Sequence, residues 1–530
     1  MVVSNIPFSQ FPMLAKTDRA YAEQDASLQK FYKYSTEIKQ FKQIIADKIT
    51  DKTDRNLLVS TLKKQYLGLN TEGVVLSQID KLASEKTFTV TTAHQPSLFT
   101  GPLYFVYKIF STIHLAEKLN AYYVDNQFIP IFVIGGEDHD FEEVNNINIF
   151  NKKITWENNE KGAVGMMQTA SLKTALEELK NVLGTSENAQ RIFEIVEKSY
   201  VENAVYQDAT QALLNELFGR YGLVVLNMND EDLKRAFIPI MKREISEQLS
   251  KPLVEQTQAE LDKLGFKAQA FPREINLFYL RQNLRERIVF ENGIYKALNT
   301  DFQWNTLEDI LKELNETPQY FSPNVVLRPL FQELILPNLA YIGGGGELAY
   351  WLERKTQFEA FSVNFPMLIR RNSVTVLDKG SKDRLDKLGL QLIDLVGNTD
   401  IFINQYVTSR SETPLSMEAE KRAFADIFNA IIEKAMSVDP TLEKAVSAEK
   451  TKQLQSLDLI ESKLLKAEKQ KSETSVNQIK TLAQKFFPNG GLQERFDNML
   501  PYYLKYGEEF FTVLWDNLNP LEGGMIVISE

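Results

Sequence analysis

The sequence predicts an α/β fold: a parallel sheet wrapped by helices, then a helical C-terminal region. Three observations predict it. Two strand candidates, residues 87–92 and the nearly all-apolar Ile129–Ile134, flank one helical segment with short connections, and this βαβ order implies a parallel sheet. Gly222–Asn227 (GLVVLN) is a further candidate, and a near-continuous apolar run suits a strand buried on both faces. Residues 416–436 and 439–485 are rich in Ala, Glu, Lys and Leu with few breakers. There Val446, Gln453, Leu457, Ile460, Leu464 and Ala467 follow spacings of four and three for much of their length, a heptad seam.

Each element follows from its pattern. Residues 14–85 read as mostly helical, with Leu28, Phe31, Tyr32, Phe41, Ile44 and Ile45 on one apolar face. Gly101 and Pro102 open a helix to about 119, proline being favoured at the first helical position. Helical patterns return at 150–215 and 230–264, and 275–300 mixes short strands and turns. Pro323–Pro337 holds a strand and a helix start, and Ala340–Phe361 carries a glycine run before a helix. The heptad seam fits an antiparallel hairpin packed on itself or a dimerising coiled coil. The tail, Met525–Ser529 (MIVIS), reads as a strand or apolar plug returning to a core.

Composition narrows the functional classes. A chain of 530 residues suits two or three domains. Its net charge of −11 disfavours a nucleic-acid partner. No run of eighteen uncharged apolar residues marks a membrane span. The opening MVVSNIPFSQFPML lacks the pattern of a signal peptide, so the cytoplasm is expected. The absence of cysteine removes disulfides, thiolate nucleophiles and thiolate metal ligands together.

Chemistry concentrates in residues 87–140, which hold all three histidines: His94, His114 and His139. Ligands of open α/β sheets bind outside the carboxyl ends of strands. In HQPSLFTGPLYFVYK (94–108), His94 and Gln95 leave a strand, and Gly101 and Pro102 open a helix whose free N–H groups suit a phosphate or carboxylate. Tyr104 and Lys108 share one helical face. An ordinary βα loop capped by Thr100 would show the same spacing. In GGEDHD (135–140), Glu137, Asp138 and Asp140 surround His139. The cluster suits an ammonium group, a cation or proton transfer, and needs donors nearby to offset its charge. An exposed acidic loop is the plainer reading. His114 lies deep in a helix and reads as packing. In IGGGGELAYWLERK (342–355), Gly344 and Gly345 allow close backbone approach, and Glu347, Tyr350 and Trp351 point where the glycines lead. No Gly-Lys-Ser/Thr follows, so this is not a P-loop. Arg328 could clamp a carboxylate or form an internal salt bridge with Glu333.

Together, HQPSLFTGPLYFVYK, IGGEDHDFEEVN and SPNVVLRPLFQELILPNLAYIGGGGELAYW resemble the bacillithiol biosynthesis cysteine-adding enzymes, across essentially the whole chain. The resemblance implies a Rossmann-like core of the class I nucleotidyltransferase type, helical connective insertions, a coiled-coil domain and a homodimer formed through it. The expected division is a core over 1–384 with insertions at about 151–220 and 230–320, a helical domain over 385–510, and a returning segment, 511–530. The implied reaction joins the carboxyl group of cysteine to the amine of glucosaminyl malate, with ATP as the expected cofactor and Mg²⁺ compatible. On this reading His94, Gln95, Thr100, Gly101, Pro102 and Lys108 hold phosphates. Asp138, His139 and Asp140, with His94, serve catalysis. Tyr104, Glu137, Arg328, Gly344, Gly345, Glu347, Tyr350 and Trp351 hold substrate, and no residue is assigned to a metal. The pattern departs from the HIGH signature of class I synthetases at Gln95, and Gly380, Ser381 and Lys382 are the candidate counterpart of the lysine-rich second signature. Alternatives are an adenylating enzyme for another small acid and a nucleotide-binding coiled-coil scaffold.

Overall fold

The computed structural model describes residues 2–530, which form two compact units. The first comprises residues up to Gln10, Leu14–Val376 and Glu494–Ile528. The second comprises Phe11–Met13, Leu377–Gln493 and Ser529–Glu530.

The first unit is built on five parallel strands: β1 (Thr87–His94), β2 (Gln127–Ile134), β3 (Val224–Asn227), β4 (Asn338–Gly343) and β5 (Met367–Arg370). Their order across the sheet is β5-β4-β1-β2-β3. This is the doubly wound order, and its direction reverses between β1 and β4. The apolar run of β2 is explained by two buried faces. Ile129, Ile131 and Val133 join one core cluster with Val224 and Leu226, while Phe132 and Ile134 join another with Val225. β1 leads through a short 3-10 turn into helix α1 (Leu103–Tyr122).

Three expectations are corrected. Pro102 is the N-cap of α1, not its first helical residue. The apolar face expected over 28–45 is split: Leu28 and Phe31 lie on a 3-10 turn in one core cluster, whereas Phe41, Ile44 and Ile45 lie on the helix Phe41–Lys48 in another. The stretch 230–320 is not helical throughout. After Glu231–Glu247 and Ser250–Lys263 it forms an antiparallel sheet of Leu277–Arg281, Leu284–Glu291, Ile294–Ala297 and Gln303–Trp304. Asn283 and Asn292, both at positive φ, turn this meander. At the chain's far end Met525–Ser529 lies between Val2–Ile6 and Ser373–Leu377 in a three-stranded sheet.

In the second unit helices α2 (Glu418–Val438) and α3 (Leu442–Lys471) form a hairpin packed on itself. Lys421 on α2 bridges Asp458 and Glu461 on α3, each at 2.6 Å. Of the heptad residues, Leu457 is buried, Val446 and Gln453 are half-buried, and Ile460, Leu464 and Ala467 stay exposed. Phe424, Ile427 and Ile431 form a second exposed apolar row on α2. Among the described residues no helix is long and apolar enough to cross a membrane.

Candidate active site at the switch point of the sheet

A cavity of about 500 Å³ opens where the strand order reverses, at the carboxyl ends of β1, β2 and β4. β1 contributes His94 and, just beyond it, Gln95. β2 leads into Glu137 and Asp138. β4 leads into Gly344, Gly346, Glu347 and Tyr350. Helix α4 (Arg328–Ile335) presents Arg328 at its first residue. A smaller chamber of about 150 Å³ adjoins it behind His94 and Tyr104, lined also by Gly101 and Pro102.

His94 is held as a neutral imidazole. Its Nδ1 is 2.9 Å from the Gln95 carbonyl, which can only accept, so Nδ1 carries the proton and Nε2 accepts from the Tyr104 hydroxyl at 3.2 Å. Burial, then the nearby Lys108 ammonium, pushes its pKa down to about 4. Burial pushes the Tyr104 phenol up to about 12. The loop between them is strained: Phe99, Thr100 and Gly101 have φ of 45°, 70° and 60° in succession. A Cβ on Gly101 would also come within 2.8 Å of Ser97 Cβ.

The phosphate seat expected at the start of α1 is closed. The Leu103 N–H donates to the Asp497 carbonyl at 2.7 Å, and Asn498 donates to the carbonyls of Phe99 and Gly101. Thr100 neither caps α1 nor faces the cavity; its hydroxyl is buried. Lys108 is fully buried and bound by Glu347, at 2.9 and 2.8 Å, and by the Ala93 carbonyl. It lies beneath the site and supports it, because an ammonium paired so deeply is not offered to a ligand.

Glu347 ties this floor together. Besides Lys108 it accepts from the Tyr341 hydroxyl at 2.7 Å and the Gly344 N–H at 2.9 Å. Burial opposes its charge, but the Lys108 ammonium and these donors hold its pKa down at about 2. Arg328 donates to Gln332 at 3.1 Å and to the Tyr350 hydroxyl at 3.2 Å. It makes no salt bridge with Glu333, whose carboxylate accepts instead from Gln332 and Asn338. Two expected ligand contacts belong to the core. Trp351 is fully buried, its ring against Tyr341 at 4.6 Å. Gly345 is packed against Asp18, whose carboxylate leaves no room for a Cβ.

The acidic loop is neutralised from within. Glu137 pairs with the buried Lys234. Asp138 accepts from Gln95 at 2.8 Å and from the His139 N–H at 2.7 Å, with Arg285 at 3.9 Å. Burial raises the Asp138 pKa, but these donors outweigh it and hold the carboxyl far below its ordinary value. His139 and Asp140 are exposed and do not line the cavity. His139 Nδ1 accepts from Arg285 at 2.8 Å, because a guanidinium has only donors. His114 packs with Nδ1 3.3 Å from the Trp515 carbonyl. Gly380, Ser381 and Lys382 open a helix of the second unit, where Asp378 accepts from the Ser381 N–H and hydroxyl.

Four cavity residues carried no readable sequence signal of function: Glu143, Arg285, Arg371 and Arg495. Arg371 follows β5 and so sits at a strand end, the one positional cue among them; it pairs with Glu494 at 2.7 Å. Arg285 lies over the Phe278 ring at 3.8 Å. Among the described residues no carboxylate is within salt-bridge reach of Arg328 or Arg495. Nor is any group of three or more acidic or histidine side chains placed to hold a metal ion.

A doubly wound sheet with charged groups converging at its switch point defines a Rossmann-like protein with a small-molecule site. Residues 1–372 match the family described as bacillithiol biosynthesis BshC, N-terminal Rossmann-like domain, and residues 374–530 match its C-terminal coiled-coil domain. Relatives named "Putative cysteine ligase BshC" include one from Christiangramia forsetii, 41% identical over 96% of each chain, and one from Flavobacterium johnsoniae, 40% identical over 97% of each. A Bacillus cytotoxicus relative of the same name is 27% identical over 92% of this chain and 93% of its own. The chain belongs to the BshC family.

Proposed function

We propose that this protein is a cysteine ligase that joins the carboxyl group of cysteine to the amine of glucosaminyl malate, giving bacillithiol. One observation carries the reading beyond family membership. A single cavity is lined by two arginines without acidic partners, Arg328 and Arg495, and by the carboxylates of Asp138 and Glu143. The substrates carry matching groups: carboxylates for the guanidinium groups and ammonium groups for the carboxylates.

A carboxylate does not condense with an amine unaided, so ATP is part of the proposal; it supplies the driving force and a good leaving group for acyl transfer. The residues fit phosphates through the guanidinium groups of Arg328 and Arg495, and not through the closed start of α1 or through Arg371, which Glu494 already holds. Mg²⁺ enters this reading as the ion of the nucleotide. Asp138, strongly acidic and multiply hydrogen-bonded, orients an ammonium group. Glu143, whose pKa burial and then Asp140 push up, is the better proton acceptor for the attacking amine. Neutral His94 and Tyr104 offer hydrogen bonds without adding charge. We further propose that the protein is a cytoplasmic homodimer joined through the exposed row Phe424, Ile427 and Ile431 on α2.

Mass spectrometry of the purified protein with cysteine, glucosaminyl malate, ATP and Mg²⁺ tests this. Bacillithiol with AMP or ADP is the expected product, strongly reduced in Arg328→Ala and Glu143→Gln. Pyrophosphate exchange driven by a different acid, with no bacillithiol, would overturn it in favour of another adenylating activity.

A further inference from the structure

The left-handed run Phe99–Thr100–Gly101 is hard to account for from its own sequence. Positive φ is costly for a non-glycine residue, and such conformations persist only where surroundings over-determine them. Here two of the three residues are not glycine. What determines them arrives from about 400 residues downstream. Asn498 is buried, and its side-chain amide donates to the Phe99 carbonyl at 2.9 Å and the Gly101 carbonyl at 2.6 Å. Its orientation is fixed because Oδ1 accepts from the Leu500 N–H at 2.9 Å, so the nitrogen must face the two carbonyls. The neighbouring Asp497 carbonyl receives the Leu103 N–H. His94 and Ser97 lie just before the clamped run and Tyr104 just after it, and His94 and Tyr104, with Glu143 and Arg495, line both the main cavity and the smaller chamber.

We propose that Asn498 is a positioning residue of the active site: it locks the Phe99–Gly101 turn and so sets His94 and Tyr104, which line both chambers. It touches no cavity surface and acts only through the loop. The placement of His94 and Tyr104 in a working site rests on the ligase reading; the clamp itself does not.

Three histidines make the test direct, since imidazole NMR of the full chain has only three rings to resolve, with His94 identified by loss of its signal in His94→Gln. In Asn498→Ala the loop relaxes and the packing that keeps His94 neutral loosens. Its midpoint is expected to climb from about 4 toward its ordinary 6.5, while that of His114 stays put. Asn498→Asp keeps the acceptor for Leu500 and loses the donors, so it should show the same shift if the alanine variant folds poorly. Adding Thr100→Gly removes part of the left-handed penalty and should draw the midpoint partly back. Turnover should fall about 100-fold in kcat with little change in KM, the size of effect a small misplacement produces. An unmoved His94 midpoint in folded Asn498→Ala or Asn498→Asp overturns the proposal and leaves Asn498 a purely structural residue. A shifted midpoint in a protein that makes no bacillithiol even as wild type would keep the clamp and sink the ligase reading.

Discussion

At the cavity floor, Lys108 and Glu347 illustrate how a buried charge pair behaves as one object. Removing either partner strands the other, and this costs more than the pair contributes. Glu347→Gln is therefore expected to lower unfolding stability by about 3 kcal/mol, read from the denaturant midpoint. Its acid response follows from the depressed pKa. The stabilisation is fully present above the unfolded value of about 4.3 and fades as pH falls toward 2, so the variant should lose that part of the acid limb. His94 adds a second pH window. The unfolded chain binds its proton near 6.5, but the folded site resists until about 4, so stability should rise with pH between those values. Denaturation series at pH 4.5 and 6.5 should show this slope in wild type and a shallower one in His94→Gln. At this scale the residues expected to hold ligand divide between one cavity and the core. Tyr104, Glu137, Asp138, Arg328, Glu347 and Tyr350 do line the cavity, whereas Trp351 and Gly345 turn into the core.

Among the elements, strands were the most legible. β2 and β3 stood out because strands buried on both faces are nearly all apolar, a signal that needs no partner to be read, while β1 was legible from its run of β-branched threonine and valine. The start of α1 was not legible in the same way. Glycine and proline correctly marked a turn into a helix, but Asp497 and Asn498, which close the turn, lie far away in sequence, and local pattern cannot report a distant cap. Gly101 sits at φ 60° and ψ −150°, a conformation only glycine occupies at low cost. Gly101→Ala, which also presses on Ser97, should cost about 1–3 kcal/mol, measurable by thermal unfolding, and should displace His94. The arginines escaped notice for a related reason: Arg285, Arg371 and Arg495 come from three separate stretches that only the fold brings together.

On the scale of the whole molecule, the heptad pattern allowed a self-packed hairpin or a dimer seam; the hairpin is what the chain forms, and the dimer stands as the proposal. α2 and α3 cover one side of each other and leave Phe424, Ile427 and Ile431 uncovered, with Ile460 and Leu464 on α3. An exposed row at three- and four-residue spacing suits a matching helix. Ile427→Glu with Ile431→Glu should yield a monomer by light scattering while the wild type is dimeric, with helical content retained; a wild-type monomer would remove the dimer from the proposal. The doubly wound core was legible from its βαβ unit and the family resemblance, but the strand order was not, because order depends on crossovers that leave no mark in the residues. One more consequence belongs to the growing chain. The loop that carries His94 is clamped by residue 498, and Val2–Ile6 pairs with a strand that ends at Ser529. At about 5–20 residues per second, roughly 20–80 s separate the synthesis of residue 101 from that of residue 498. A ribosome-bound nascent chain holding most of the Rossmann sheet would thus still lack the clamp on the His94 loop, and Val2–Ile6 would wait unpaired until residues 525–529 had been made.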